Sequence, residues 1–299
     1  LKIDVEKIFA KRLWLPGWGE IALSALQLAL ISGLLLIPLF RPGAEAFNSV
    51  SQLNGSGFLG RWLHSFHSYC GDIILFAVFI HTIEYLAKKT YRSYIFKPWL
   101  YVILLGIISL LVVFSGFVSI GSKESLSAVG IVRGILGLLG LAGQGLMRFL
   151  LRTTSSGDAL RTMYLHHIAT FSVLAIVLTY MHIRRLKSDR YAFYYTLVLI
   201  LLLSLALPAR LGMPAETPAL VVKGPWYFIG LQEQLAWMPA WLAGVFLPAA
   251  VVVLLLLLPI LHKKEKILLY GLSVFILFYL AESLIGWLLR GDGWQLLLR

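Results

Sequence analysis

Residues 64–82 read HSFHSYCGDIILFAVFIHT, and residues 165–184 read LHHIATFSVLAIVLTYMHIR. Each is a mostly apolar run with a histidine towards either end. His67 and His81 are 14 residues apart, and His167 and His182 are 15 apart. At about 100° per residue, 14 steps fall about 40° short of four full turns, and 15 steps pass them by about 60°. Each pair therefore lies near one face of its helix, with a rise of roughly 21–22 Å between its two rings. His166 competes with His167. From His166 to His182, 16 steps end about 160° past four turns, so those two face nearly opposite ways. His64 lies one turn outward from His67, which places it near the outer edge of a site or in water.

The composition sets the solvent for these helices. The 299 residues are 59% apolar and only 13% charged. A soluble domain carries about 25% charged residues, so most of this chain faces lipid or other helices. The single cysteine, Cys70, allows no internal disulfide and no CxxCH attachment site. It reads as a small packed residue. The formal net charge of +12 comes from short basic clusters between apolar runs, which points to topology and lipid headgroups rather than nucleic acid. The first residues, Leu1–Lys7, are polar and lack the form of a signal peptide.

Seven apolar runs reach the ~20 residues needed to cross a bilayer. They lie at about 20–40, 65–87, 98–120, 165–184, 191–208, 240–261 and 267–289. The expectation is an all-α polytopic membrane protein in two parts, a four-helix bundle over 1–190 and a three-helix part over 191–299. Four short segments hold most of the 26 Lys and Arg. They contain Lys2, Lys7, Lys11 and Arg12; Lys88, Lys89, Arg92 and Lys97; Arg184, Arg185, Lys187 and Arg190; and Lys263, Lys264 and Lys266. Seven spans put all four on one side. The positive-inside rule makes that side cytoplasmic, N-terminus included, in what is expected to be a bacterial inner membrane. The connection 121–164 contains an apolar stretch, 129–151. We expect one or two helices there at the outer surface, because an eighth span would invert the later basic clusters.

The second and fourth spans run in the same direction, so their histidines meet at two depths. Imidazole suits iron, and two axial histidines leave a haem no open position, which favours electron transfer. His67 with His167, and His81 with His182, are the expected ligand pairs. A macrocycle wedged among helices calls for small neighbours, and Gly19, Gly33, Gly106 and Gly116 are the candidates. Asp72, Glu84 and Glu282 are further ionisable groups within or near the bilayer, Glu282 with a possible role in proton exchange.

Other stretches fall in a telling order: Phe40-Arg41-Pro42, Glu45-Ala46-Phe47-Asn48-Ser49-Val50, the two histidine pairs, Arg161 and Leu165-His166, then Gly224-Pro225-Trp226-Tyr227-Phe228. With them the chain resembles cytochrome b of the quinol-oxidising bc-type complexes. The likeness is to the shorter form, with a subunit IV-like three-helix part fused on, and it spans nearly the whole chain. The upstream match points to His166 as ligand and the downstream step to His167. The resemblance implies two non-covalent b haems, an outer one on His67 and His167 and an inner one on His81 and His182. Arg184, Arg185 and Lys88 would be placed for inner-haem propionates. It further implies quinol or quinone as substrate, an oxidoreductase complex with a Rieske protein, a multihaem cytochrome c or other redox subunits, and possible homodimerisation.

Three departures accompany it. The glutamate of the family's PEWY segment is Pro225 here, and Glu233 is the candidate quinol proton acceptor in its place. The family's PWDQ segment is replaced by Gly116-Phe117-Val118-Ser119-Ile120-Gly121. The arginine usual three residues before the first ligand is His64, with Arg61 one turn further out. The lost glutamate favours, as a rival, a membrane anchor that passes electrons from an outer dehydrogenase or multihaem cytochrome to quinone. A non-redox structural or transport protein is the alternative of another class, and no charged relay along the helices supports it.

Overall fold

The computed structural model describes residues 16–152, 156–218 and 221–297; the basic cluster Lys2, Lys7, Lys11 and Arg12 lies outside them. Among the described residues the chain is helical, and its extended pairing is an isolated bridge between Arg290 and Leu296. Helix α1 (Trp18–Leu36) runs into a 3-10 turn at Pro38. A short α2 (Ala46–Gly55) leads to the long α3 (Phe58–Ala87) and then α4 (Phe96–Ser119). The connection after α4 folds as α5 (Lys123–Gly137) and α6 (Gly140–Leu151). Next come α7 (Ser156–Leu165), a π-helical turn at His166–Phe171, and α8 (Ser172–Ile183). Then follow α9 (Arg190–Ala206), α10 (Ile229–Trp237), α11 (Leu247–Leu257) and α12 (Glu265–Leu284).

Five of these stretches are long and apolar enough to cross a membrane: Trp18–Leu39, Phe58–Ala87, Phe96–Ser119, Gly157–Ile183 and Glu265–Leu289. The other two expected spans appear as shorter apolar helices, Arg190–Ala206 and Leu242–Leu257. The physical reasons are local. Past Ala206 the chain leaves the helical region at Leu207, just before Pro208. The later helix begins beyond Pro239 with a π-helical turn at Leu242–Phe246, ahead of Pro248, which has no N–H to donate. Helices α5 and α6, with 15 and 12 residues, are roughly 22 and 18 Å long, too short for a ~30 Å hydrocarbon core. They pack on each other rather than forming an eighth span.

Helix α1 packs along α3, and α9 lies across both; Ala25, Leu28, Phe66, Cys70, Ile74 and Ile200 close that core. Helix α4 packs against α7 and α8. Side chains such as Ile31, Leu34, Val177, Leu202 and Leu277 point outward and are exposed, as a lipid-facing surface requires.

The basic clusters gather at one end of the bundle. Buried Glu265, at the start of α12, accepts from Tyr91 Oη at 3.0 Å, Lys89 Nζ at 3.1 Å and Arg92 Nε at 2.8 Å. Beside it Trp99 donates to the Leu255 carbonyl at 2.7 Å. The start of α1 meets the end of α8 at the same level. There Arg185 pairs with Glu20, and the Gln27 amide bridges the Leu186 carbonyl and the Ser188 hydroxyl. Replacing Glu265 by glutamine removes the negative charge that two cations share and puts a donor where one acceptor oxygen stood. Glu265→Gln is expected to lower the midpoint of thermal unfolding in detergent, followed by tryptophan fluorescence. An unchanged midpoint would remove this contact from the forces that join α12 to the segment after α3.

Candidate functional site

His67 on α3 and His167 in the π-helical turn face each other, with ring centres 6.0 Å apart and planes at 87°. The Nδ1 of each ring is committed. His167 Nδ1 donates to the Val112 carbonyl of α4 at 2.8 Å. His67 Nδ1 lies 2.9 Å from Ser32 Oγ of α1. The Ser32 hydroxyl already donates to the Leu28 carbonyl at 2.8 Å, so it accepts from the histidine. In both neutral rings the lone pair therefore resides on Nε2, the arrangement that prepares an imidazole as a metal ligand.

Glycines make room for these rings. A Cβ on Gly33 would stand 3.1 Å from His67 Cε1, and one on Gly116 only 2.8 Å from His167 Cε1. At the other end a Cβ on Gly19 would stand 3.0 Å from His81 Cε1. Gly106 has no such neighbour: a Cβ there would meet nothing within 4 Å. His81 and His182 are joined less directly. The Tyr85 ring lies 4.6 Å from His81 and 6.2 Å from His182; His81 Nδ1 lies 3.6 Å from Glu84 Oε2, and His182 Nδ1 has no hydrogen-bond partner among the described residues.

The π-helical turn explains the unequal spacings. It absorbs one residue more than a regular turn, so the 15-residue step on this helix spans nearly the same rotation as the 14-residue step on α3. It also separates His166 from His167. His166 is buried against Phe149 and Phe171, and both its nitrogens are engaged, with Thr170 Oγ1 at 3.1 Å and the Phe149 carbonyl at 2.9 Å. His64 is buried rather than in water, and its Nδ1 has no partner. Arg185 pairs with Glu20 and Lys88 with Glu84 at 3.5 Å, while exposed Arg184 ends α8 in a left-handed conformation.

These residues fit a haem on their own chemistry. A metal ligated from both sides stands about 2 Å from each nitrogen, and a nitrogen about 1 Å from its ring centre, so two axial imidazoles have centres about 6 Å apart. The His67–His167 separation has that value. Ser32 and the Val112 carbonyl, which orient the rings, had no signal in the sequence beyond the neighbouring glycines.

A second feature lies towards the His67–His167 end. A cavity of about 440 Å³ is walled by α4 (Phe114), α5 (Glu124, Ser127, Ile131) and the segment from Val221 to Leu235, including Pro225. The Gly224–Phe228 segment is pinned to the bundle by Trp226 Nε1 donating to Asp72 at 2.8 Å and by Tyr279 donating to the Tyr227 carbonyl at 2.7 Å. Burial pushes the Tyr227 phenol above its usual pKa.

Glu233, the expected quinol proton acceptor, lies in a different setting. It is 0% exposed and does not wall the cavity. Arg290 holds it in a forked pair, Nε to Oε2 at 2.9 Å and Nη2 to Oε1 at 2.6 Å, and Trp237 Nε1 donates to it at 2.7 Å. The carboxylate in turn raises the Arg290 pKa above its ordinary value. A carboxylate so bound has its oxygens engaged by charged and aromatic N–H donors. Nearby Glu282 is buried, and its Oε2 has no partner among the described residues. Arg290→Ala leaves Glu233 buried and uncompensated and is expected to cost about 3 kcal/mol. The joint change Glu233→Leu with Arg290→Met is expected to cost much less. Chemical or thermal denaturation of the purified variants checks this, and equal losses would contradict it.

Comparison with known proteins agrees with this geometry. The cytochrome b/b6/petB family model matches residues 9–189. Cytochrome b of Eptatretus burgeri is 25% identical over 286 residues, covering 85% of this chain and 74% of that protein. Cytochrome b of Venturia inaequalis is 25% identical over 284 residues, covering 82% and 71%. Among solved structures, a chain of a hyperthermophilic respiratory complex III shares the fold, with a TM-score of 0.72 at 17% identity over 98% of this chain and 91% of that one. With paired histidines between α3 and the turn before α8 and a family match over more than half its length, this chain belongs to the cytochrome b/b6 family.

Proposed function

We propose that this chain is the dihaem cytochrome b subunit of a respiratory quinol/quinone oxidoreductase of the complex III kind. His67 and His167 would hold one haem b, and His81 and His182 a second. The observation that carries the reading is the His67–His167 pair, with centres 6.0 Å apart and both Nδ1 atoms committed elsewhere. A haem with two imidazole ligands supplies reversible one-electron transfer at iron and has no open position for oxygen. The chain's residues do the rest. Ser32 and the Val112 carbonyl set ring orientation and tautomer. Gly33, Gly116 and Gly19 keep backbone close to the rings. The apolar shell from α1, α3 and α4 excludes water.

Seven crossings place the His81–His182 end, with its basic clusters, on the cytoplasmic side. The shorter helices Arg190–Ala206 and Leu242–Leu257 cross as well in this reading, with the local bilayer thinning that short spans require. The cavity beside Pro225 is the quinol site, its volume within the range usual for small-molecule pockets. Electrons leave through a partner on the outer face, a Rieske protein or a multihaem cytochrome c.

The rival anchor reading is favoured by one observation, the proline at 225 where a carboxylate would stand. The subunits that copurify separate the two: a Rieske protein supports quinol oxidation, and a dehydrogenase or multihaem cytochrome alone supports the anchor. For the haems, His67→Ala and His182→Ala should each remove a different one, read by haem quantification and reduced-minus-oxidised spectra. Retention of both haems in either variant rejects the ligand assignment.

A further inference from the structure

Pro225 cannot take a proton, and Glu233 is locked to Arg290, yet the cavity between them and α5 has a carboxylate of its own. We infer that Glu124 receives the proton of a quinol hydroxyl bound in this cavity, an inference that rests on the quinol reading above. Among the polar side chains of the wall it is the one left free to do so. The Gln232 amide is committed at both ends, its Oε1 accepting from Gly224 N at 2.9 Å and its Nε2 donating to the Val222 carbonyl at 2.7 Å. Ser127 Oγ donates to the Lys123 carbonyl at 2.8 Å. Glu124 forms no ion pair among the described residues, and its two oxygens share a single donor, Met213 N, at 3.2 and 3.1 Å. A carboxylate has about four lone-pair sites, so acceptor capacity remains.

The residue is placed, not loose. Lys123 N donates to the Met213 carbonyl at 2.9 Å, so a second bond ties the start of α5 to the same loop. Gly212 adopts φ +86, and a Cβ there would stand 2.5 Å from Glu124 Oε2. Glycine at 212 therefore serves both the turn and the close approach of the carboxylate. The rest of the wall is largely apolar, with Phe114, Ile131, Pro225 and Phe228 among its residues. Flanking Gly212, Pro214 and Glu216 are exposed, which gives a proton on Glu124 a short way to water. The step is a proton transfer. A quinol O–H bond breaks, its electron pair stays on the quinol oxygen, and an O–H bond forms on the Glu124 carboxyl.

The test uses the purified complex and the rate at which a short-chain benzoquinol or naphthoquinol reduces the b haems. Glu124→Gln keeps an acceptor for Met213 N–H, so it should assemble with an unchanged dithionite-reduced spectrum. Its rate at saturating quinol is expected to fall about 100-fold, within the range of general-base contributions. Glu124→Asp, which keeps a carboxylate on a shorter arm, should lie between the two and carries the comparison if the glutamine variant assembles poorly. A wild-type rate in Glu124→Gln, or Glu124→Asp no faster than Glu124→Gln, overturns the inference while leaving the quinol reading intact. A wild-type complex that no quinol reduces sinks the quinol reading, and this inference with it.

Discussion

Burying a neutral imidazole among apolar helices costs free energy unless its nitrogens are satisfied, and at the His67–His167 level that constraint sets the local packing. At the His67–His167 level each ring gives its Nδ1 proton to a neighbouring helix, Ser32 on α1 and Val112 on α4. The two Nε2 lone pairs are then left for a shared partner between the helices. At the other level His81 Nδ1 lies 3.6 Å from Glu84 Oε2, and His182 Nδ1 has no hydrogen-bond partner among the described residues. The helix pairing follows from this arrangement. Helix α1 lies along α3 and α4 along α8, each offering glycine where a ring must pass.

Much of this was legible in the sequence because helical periodicity is a backbone property. The 14-residue step between His67 and His81 specifies one face of any regular helix, and the glycines at 19 and 33 match it. The 15-residue step was only partly legible. Regular geometry leaves His167 about 60° off, and the π-helical turn that absorbs the difference depends on how the helix packs rather than on residue type. Gly106 borders open space rather than a side chain, and glycine is common in membrane helices for several reasons.

The cavity was the least legible part. Its wall joins α4, α5 and a segment about a hundred residues later, and no local pattern announces such a meeting. Glu233 stood out in the sequence because it follows the Gly224–Phe228 segment. Its true partner, Arg290, lies 57 residues away and neutralises it. Glu124 drew no notice, because an acidic residue in the first turn of a helix is ordinary. Only the packing of the Gly212–Met213 loop against it shows why it sits where it does.

In the proposed reading, imidazoles from α3 and from the π-helical turn and α8 would hold a haem at each of two levels. Electron paramagnetic resonance of the oxidised, purified chain, calibrated against its haem content, tests this most directly. The account predicts two distinct low-spin ferric signals in equal amount. A single signal, or a dominant high-spin signal from iron with an open position, would contradict it.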